Sequence, residues 1–437
     1  MKTINTLIKN LTSYPLMDPF AWEDIIFFDI ETTGFSANTS YLYLIGCMYF
    51  KDNAWHMTQW LADDMNSEAF ILEAFFQMLQ SYKRLVHFNG SGFDIPFILR
   101  KCKQHNLTYT FDTIESFDIY KKILPYKKIL PLTNFKLKTI EKFVGINRKD
   151  IYTGEDLIQI YANYIGRLQY EKLLQKTNPG DTIISKSRTD DIIPRKENTN
   201  TKNLSSGELS QILLLHNFED VKALIQIADI LFYRDIFEKE PYGTLSLKDE
   251  SSLYMDPQIT GNPEDIIYSR ISLNFSLPYT LPQPVILEVP LPIINMDGKD
   301  NAKNQNNTSF LKLCMGGNQF SLVLPVFHGE LKYFYDNYRD YFYLPKEDTA
   351  IHKSVARYVD KEFKVKAKPA TCYTKKYSRF LPQTDNLFTP DFKNGFNDKI
   401  TYFEITKDAL KEPVQLHQYV KSILHYILCN KEIRILT

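Results

Sequence analysis

Apolar positions in the first half of the chain switch repeatedly between strand-like runs and helical spacing. Ile25–Ile30 is a short apolar run and predicts a buried strand. Tyr41–Tyr49 and the alternating Ala54–Leu61 predict two more. Phe70, Ile71, Ala74, Phe75 and Met78 fall at helical spacing within Ser67–Ser81, with Ser67 placed to cap the helix. Arg84–Phe88 reads as a strand running into Asn89-Gly90-Ser91-Gly92-Phe93-Asp94, and a helix is expected over Pro96–His105. Leu137–Val144 predicts a short helix ended by Gly145, Gly154–Leu174 a longer one, and Ser206–Phe237 the last, opened by Ser206. Alternation of this kind from about Asp24 to Asp235 is the pattern of an α/β domain.

Two stretches break the rhythm. Residues 176–203 hold Asn-Pro-Gly, a pair of aspartates and Glu-Asn-Thr-Asn-Thr-Lys, and are expected to be a mobile insert. Beyond about residue 240 the chain turns to short β-like runs such as Val285–Val289 and Phe320–Val326. Gly316-Gly317-Asn318 reads as a hairpin turn, Asp297–Thr308 as a polar loop, and Val414–Leu428 as an amphipathic helix. The expected organisation is an N-terminal extension over 1–23, an α/β domain over 24–240 and a β-rich α+β domain over 241–437.

Composition narrows the classes. Lys plus Arg and Asp plus Glu both number 52, so a nucleic-acid partner has to be met by local patches and not by a global field. The five cysteines are scattered and form no CxxC pair, which argues against a disulfide framework or a structural zinc site. Lys2, Asn5, Lys9 and Asn10 interrupt the first residues, so no signal peptide is expected there. No apolar run approaches the length of a membrane span. The expectation is a soluble cytoplasmic protein with no membrane contact.

The chemistry concentrates in a few acids. Asp29 and Glu31 are two residues apart on a strand, so they share a face while Ile30 turns to the core. Like charges so placed repel unless a cation lies between them, and carboxylates suit hard ions such as Mg²⁺ or Mn²⁺. Taken alone the pair is equally a solvated strand end. Asp94 follows a glycine-rich turn that aims it back at the sheet edge, and His216 and Asp220 stack one helical turn apart. Together these residues predict a two-metal site for phosphodiester hydrolysis, with His216 taking the proton of the attacking water. Glu219, beside Asp220, competes for the same assignment. Asn89 either forms the turn or orients Asp94, and Phe93 packs beneath the site. Asp118 is expected to be structural, and Asp63-Asp64 and Asp190-Asp191 to be solvated loop charges.

The order Asp29-x-Glu31, Asn89-Gly90-x-x-Phe93-Asp94, His216-x-x-x-Asp220 resembles the DEDD exonuclease superfamily of the ribonuclease H-like fold. It looks most like a bacterial group of ribonuclease H-like proteins expected to be 3′–5′ exonucleases. Leu137-Lys138-Thr139-Ile140-Glu141 with Gly145, and Gly154-Glu155-Asp156 leading to Tyr161 and Tyr164, are similar to that group's intervening segments. The resemblance covers about residues 24–235. It implies a mixed sheet flanked by helices, two Mg²⁺ or Mn²⁺ ions on Asp29, Glu31, Asp94 and Asp220, and His216 as general base. There is one departure. The histidine branch of the superfamily places its histidine five residues before the last aspartate, and the tyrosine branch places tyrosine four before; this chain has histidine at the tyrosine spacing.

Downstream, Tyr333, Phe334, Tyr335, Tyr338, Tyr341, Phe342 and Tyr343 precede a basic stretch over Ile351–Phe380. Rings beside cations are what single-stranded nucleic acid needs, although an aromatic core segment followed by a solvated basic face has the same pattern. Thr32, Asn89, Phe93, Lys353 and Arg357 are the expected substrate contacts. The function expected is a metal-dependent nuclease acting on single strands or 3′ ends of DNA or RNA. The alternatives are a catalytically weak nucleic-acid-binding or scaffolding protein and a structure-specific endonuclease.

Overall fold

The structure is a computed structural model describing residues 1–8, 11, 14–177, 204–239, 269–291, 309–406, 410 and 412–436. The expected mobile insert beyond residue 177, the polar loop 297–308 and Asp190-Asp191 lie outside the described residues. Two compact units emerge, one of residues 1–125 and 132–232, the other of 126–131 and 233–437.

The first unit is built on a six-stranded mixed sheet. Its strands are β1 (Lys2–Ile8), β2 (Ile25–Thr32), β3 (Leu42–Lys51), β4 (Ala54–Leu61), β5 (Arg84–His87) and β6 (Glu115–Asp118). Their order is β1-β4-β3-β2-β5-β6, so residues 2–8 are an edge strand of the same sheet. β2 is central, antiparallel to β3 and parallel to β5, and it alternates between two environments. Phe28 packs on Phe75 of helix α1 (Ser67–Leu79), with ring centroids 5.4 Å apart. The opposite face carries Asp29 and Glu31. Asn66, not Ser67, occupies the cap position of α1. Ser67 instead turns its hydroxyl back to the Asp63 and Asp64 carboxylates, so those acids anchor the helix start and are not free loop charges.

Helices α2 (Asp94–Gln104), α3 (Ile119–Ile123), α4 (Leu137–Val144) and α5 (Gly154–Thr177) follow. Gly145 ends α4 at φ +87°, a left-handed value that glycine takes at no steric cost. α5 stacks Tyr161 on Tyr43 of β3 at 4.2 Å. The last predicted helix is two: α6 (Ser206–Ile227) and α7 (Leu231–Glu238), joined by a 3-10 turn at Ala228–Ile230. Asp229 in that turn accepts the Tyr14 backbone N–H at 2.7 Å. α6 opens on a capping box in which Ser205, one residue earlier than expected, accepts from the Glu208 N–H and donates its own N–H to the Glu208 carboxylate.

In the second unit, β7 (Ser269–Ser276), β8 (Val285–Pro290), β9 (Phe310–Gly316) and β10 (Gln319–Phe334) form antiparallel pairs whose alternating side chains fill a core. Phe275 stacks on Phe320 at 4.7 Å. The β9–β10 hairpin turns at Gly317, φ +58°, as the glycine run predicted. β11 (Tyr341–Leu344), β12 (Thr349–His352) and β13 (Val365–Lys366) make a three-stranded sheet, with α8 (Lys353–Ala356) after β12. β14 (Tyr373–Gln383) joins β10 to β15 (Thr401–Glu404), and β16 (Arg434–Leu436) closes the far edge on β8. Helix α9 (Pro413–Cys429) packs Tyr419 against Phe403 at 5.4 Å and donates its hydroxyl to the Pro382 carbonyl. Among the described residues no helix is long and apolar enough to cross a membrane.

Candidate metal centre

Helix α6 lies on the acidic face of β2 because Gly46, opposite Asp29 on β3, leaves room for it. A Cβ at Gly46 would stand 2.0 Å from the Asn217 Oδ1. In that space Gln59 Nε2 donates to Asn217 Oδ1 at 3.0 Å and to the Leu214 carbonyl at 2.9 Å. Asn217 Nδ2 in turn donates to Asp29 Oδ2 at 3.3 Å. Buried amides paired this way fix the rotation of the helix, which brings His216 and Asp220 to the same face.

Asp94 arrives by a different device. Asn89 takes φ +59° at the end of β5, and the chain reverses so that the Ile95 N–H reaches the Gly90 carbonyl at 2.9 Å. Asp118 fastens this turn, accepting the Asn89 N–H at 2.9 Å and the Ser91 N–H at 3.3 Å, and it also caps α3. His87 accepts the Gly90 N–H on Nδ1 at 3.1 Å; burial lowers its pKa to about 4, so the ring is neutral and serves as an acceptor. Asn89 and Asp118 are therefore turn builders, and Asp94, the first residue of α2, is buried beside β2.

The third part of the site was not foreseen. Between α4 and α5, Arg148 and Asp150 enter the cluster, carried by a segment whose backbone N–H groups at Lys149 and Asp150 donate to Glu219 at 2.9 and 2.8 Å. Glu219 is thus a clamp, which leaves the site to Asp220. His216 holds Asp150 through Nδ1 at 2.6 Å, while its Nε2 lies 3.3 Å from Asp220 and 3.9 Å from Glu31. Arg148 binds Glu141 of α4 through Nε at 2.5 Å and pairs with Asp220 as well. The signal available in sequence was Arg148-Lys149-Asp150 after the Gly145 stop, and the spacing gave it no partner.

These charges sort into two groups. Burial first, then the charges of Asp220, Asp94 and Glu31, push Asp29 well above the usual carboxylate range. Burial likewise lifts Glu31 to about 8 and Asp94 to about 7. Asp220 and Asp150 lie below the usual range; burial opposes this, but hydrogen bonding to His216 prevails in both. His216 rises to about 11 against the opposing effect of burial, because Asp150 and then Asp220 hold its proton. Three carboxyls that resist ionising together are a fit for a divalent cation, which supplies the missing positive charge and prefers such oxygens. Glu31, His216 and Asp220 already offer ligand atoms all within 4.8 Å of one another.

A pH dependence follows. Glu31 and Asp94 hold protons in the fold that the unfolded chain releases, so stability is lost as pH rises from about 4.5 through 8 and from about 3.8 through 7 respectively. His216 adds a contribution complete below 6.5 and lost on the way to about 11. The thermal midpoint of the chelator-treated protein should fall between pH 5 and 8.5, and Mn²⁺ should raise it more at pH 8.5 than at pH 5. A midpoint flat across that range would show that the acids do not share one buried site.

The remaining expected residues divide between the two units. Thr32 ends β2 opposite Leu42, past a register shift that skips Tyr43, and donates to the Gly34 carbonyl at 2.9 Å. Phe93 packs on Phe97 at 5.5 Å, under the turn. Lys353 and Arg357 belong to the second unit, where Lys353 pairs with Asp340 at 2.6 Å and Arg357 lies over Tyr358.

A family model described as the RNase_H superfamily matches residues 26–178. Those residues form a ribonuclease H-like domain. The matched part of this domain supplies Asp29, Glu31, Asp94, Arg148 and Asp150, and α6 with His216 and Asp220 follows it. Among solved structures, the family B DNA polymerase from the hyperthermophilic archaeon Pyrobaculum calidifontis is similar at 12% identity and a TM-score of 0.32, over 48% of this chain and 24% of that one. E. coli Exonuclease I in complex with a dT13 oligonucleotide is similar at 14% identity and a TM-score of 0.23, over 36% of this chain and 41% of its own. Its complex with dA16 gives 14% and 0.23, over 35% and 43%. The chain therefore spans less than half the length of these structures. No curated protein matches it.

Proposed function

We propose that the ribonuclease H-like domain is a metal-dependent nuclease that hydrolyses phosphodiester bonds from 3′ ends by a two-metal mechanism. The observation that carries this reading is the convergence of Asp29, Glu31, Asp94 and Asp220 from β2, α2 and α6, with three of them held above the range in which carboxyls normally ionise. These four would hold Mg²⁺ or Mn²⁺, which when bound lowers the pKa of a water and stabilises the leaving oxygen. Asn217 fixes Asp29 by donating to its carboxylate. Asp150 fixes the His216 ring through Nδ1 and leaves Nε2 facing Glu31 and Asp220. With Asp220 engaged as a ligand, His216 loses the carboxylate that holds a proton on Nε2 and its pKa falls. Nε2, once deprotonated, takes the proton of the attacking water while Asp150 keeps Nδ1.

Arg148 supports a second reading. Its ion pair with Asp220 occupies a carboxylate that a cation needs, as in a binding or scaffolding protein with little catalysis. Degradation of 5′-end-labelled single-stranded DNA and RNA in Mn²⁺ separates the two. The expected result is a ladder of shortening labelled products, absent with Asp94→Ala, and intact circular substrate. Cleavage of circles would make the enzyme an endonuclease, and no cleavage of any substrate would leave the binding protein.

A further inference from the structure

The pairing of β10 with β14 sets His328 opposite Arg379, Glu330 opposite Tyr377, Lys332 opposite Lys375 and Phe334 opposite Tyr373. Side chains alternate across a strand, so these eight share one face of the sheet. Tyr377 is 68% exposed there, its ring against His328 at 5.2 Å. Farther along, Phe334 meets Phe396, itself 43% exposed, at 5.4 Å.

The cations of this row are of two kinds. Lys375 is neutralised by Asp348 at 2.6 Å and Glu330 at 3.5 Å. Among the described residues Lys332 and Arg379 meet no carboxylate, and the Lys332 ammonium lies over the Tyr373 ring at 4.5 Å. Lys332 stands directly opposite Lys375, whose charge Asp348 and Glu330 already offset, so the unbalanced positive charge of the row rests on Lys332 and Arg379. An anion placed along the row would relieve it. The ligand must also cover rings, since Tyr377 and Phe396 stand between and beyond the cations. An acidic peptide satisfies the charges alone; a strand of bases and phosphates satisfies both.

We infer that the outward face of β10 and β14 is a binding surface for single-stranded nucleic acid, with a base stacked on Tyr377 and phosphates met by Lys332 and Arg379. The basic stretch read from the sequence is thereby divided. Lys353 and Lys364 are tied to Asp340 and to the Ala356 and Val359 carbonyls, whereas Arg379, at its end, shares the face of Lys332 four residues along the sheet.

The test is fluorescence anisotropy of labelled oligo-dT and oligo-U with the full chain carrying Asp29→Ala, in chelator. Binding is thus read without cleavage and independently of the nuclease reading. Tyr377→Ala should weaken binding about fivefold or more, while Tyr377→Phe, which keeps the ring, binds like its parent. Lys332→Gln with Arg379→Gln should lower the slope of log affinity against log salt by about 1.4, at about 0.7 per phosphate contact. Unchanged affinity and slope in variants with the parent's thermal midpoint would overturn the inference. So would equal losses in Tyr377→Ala and Tyr377→Phe, or competition by polyglutamate as effective as unlabelled oligonucleotide.

Discussion

Asp29→Asn is expected to cut Mn²⁺-dependent strand degradation by more than about a hundredfold, the upper range for losing even a group outside the ligand shell. The same change should raise the thermal midpoint of the chelator-treated protein at pH 8. Both effects have one cause. Asp29 is buried next to Asp220, Asp94 and Glu31, and in the absence of a cation its ionisation is opposed by burial and by each of those charges. Asparagine keeps the size and the contact with Asn217 but removes the charge, so Glu31 and Asp94 ionise more easily. A shift such as that of Glu31, from 4.5 to about 8, corresponds to stability on the order of several kcal/mol above pH 8, shared among the coupled acids. Activity and stability therefore move in opposite directions, as at sites that concentrate like charge for function. Calorimetric scans at pH 5 and pH 8, beside the degradation assay, measure both. An Asp29→Asn protein that is inactive and also less stable at pH 8 would place Asp29 in a structural role.

The sheet and its acids were readable because each depended on local rules. Alternation put Asp29 and Glu31 on one face of β2, and the glycines near Asp94 announced a turn. The unreadable part depended on distance. Arg148 and Asp150 lie in a loop without periodicity, and only the docking of α6 through Gly46, Gln59 and Asn217 brings His216 within 2.6 Å of Asp150. His216, four residues before Asp220, is held by this unforeseen carboxylate, which binds its Nδ1 from a loop. In the second unit the same limit applied to charge. A run of lysines in sequence says nothing of which ones meet Asp340 or Asp348 and which face outward.

Arg148→Met is expected to lower the thermal midpoint by on the order of 10 °C. The guanidinium and Glu141 are both buried, with side chains 9% and 2% exposed, and Arg148 links Glu141 of α4 to Asp220. Removing one partner of a buried pair leaves the other charge without compensation, at about 3–5 kcal/mol. For a unit of this size each kcal/mol lowers the midpoint by about 2–4 °C. Arg148→Met combined with Glu141→Leu should recover part of the loss, because the stranded Glu141 carboxylate is gone while Asp220 keeps only His216, and the double-mutant cycle isolates the Arg148–Glu141 coupling. A loss below about 1 kcal/mol in Arg148→Met would mean the pair behaves as a surface contact. The cation response then separates structure from chemistry. Arg148→Met frees the Asp220 oxygen that the guanidinium occupies, so Mn²⁺ should raise its midpoint by more than it raises that of the wild type. Equal increments would show that Asp220 is not a ligand. The ions would then rest on Asp29, Glu31 and Asp94, with Asp220 left as the partner that holds His216 and Arg148 in place.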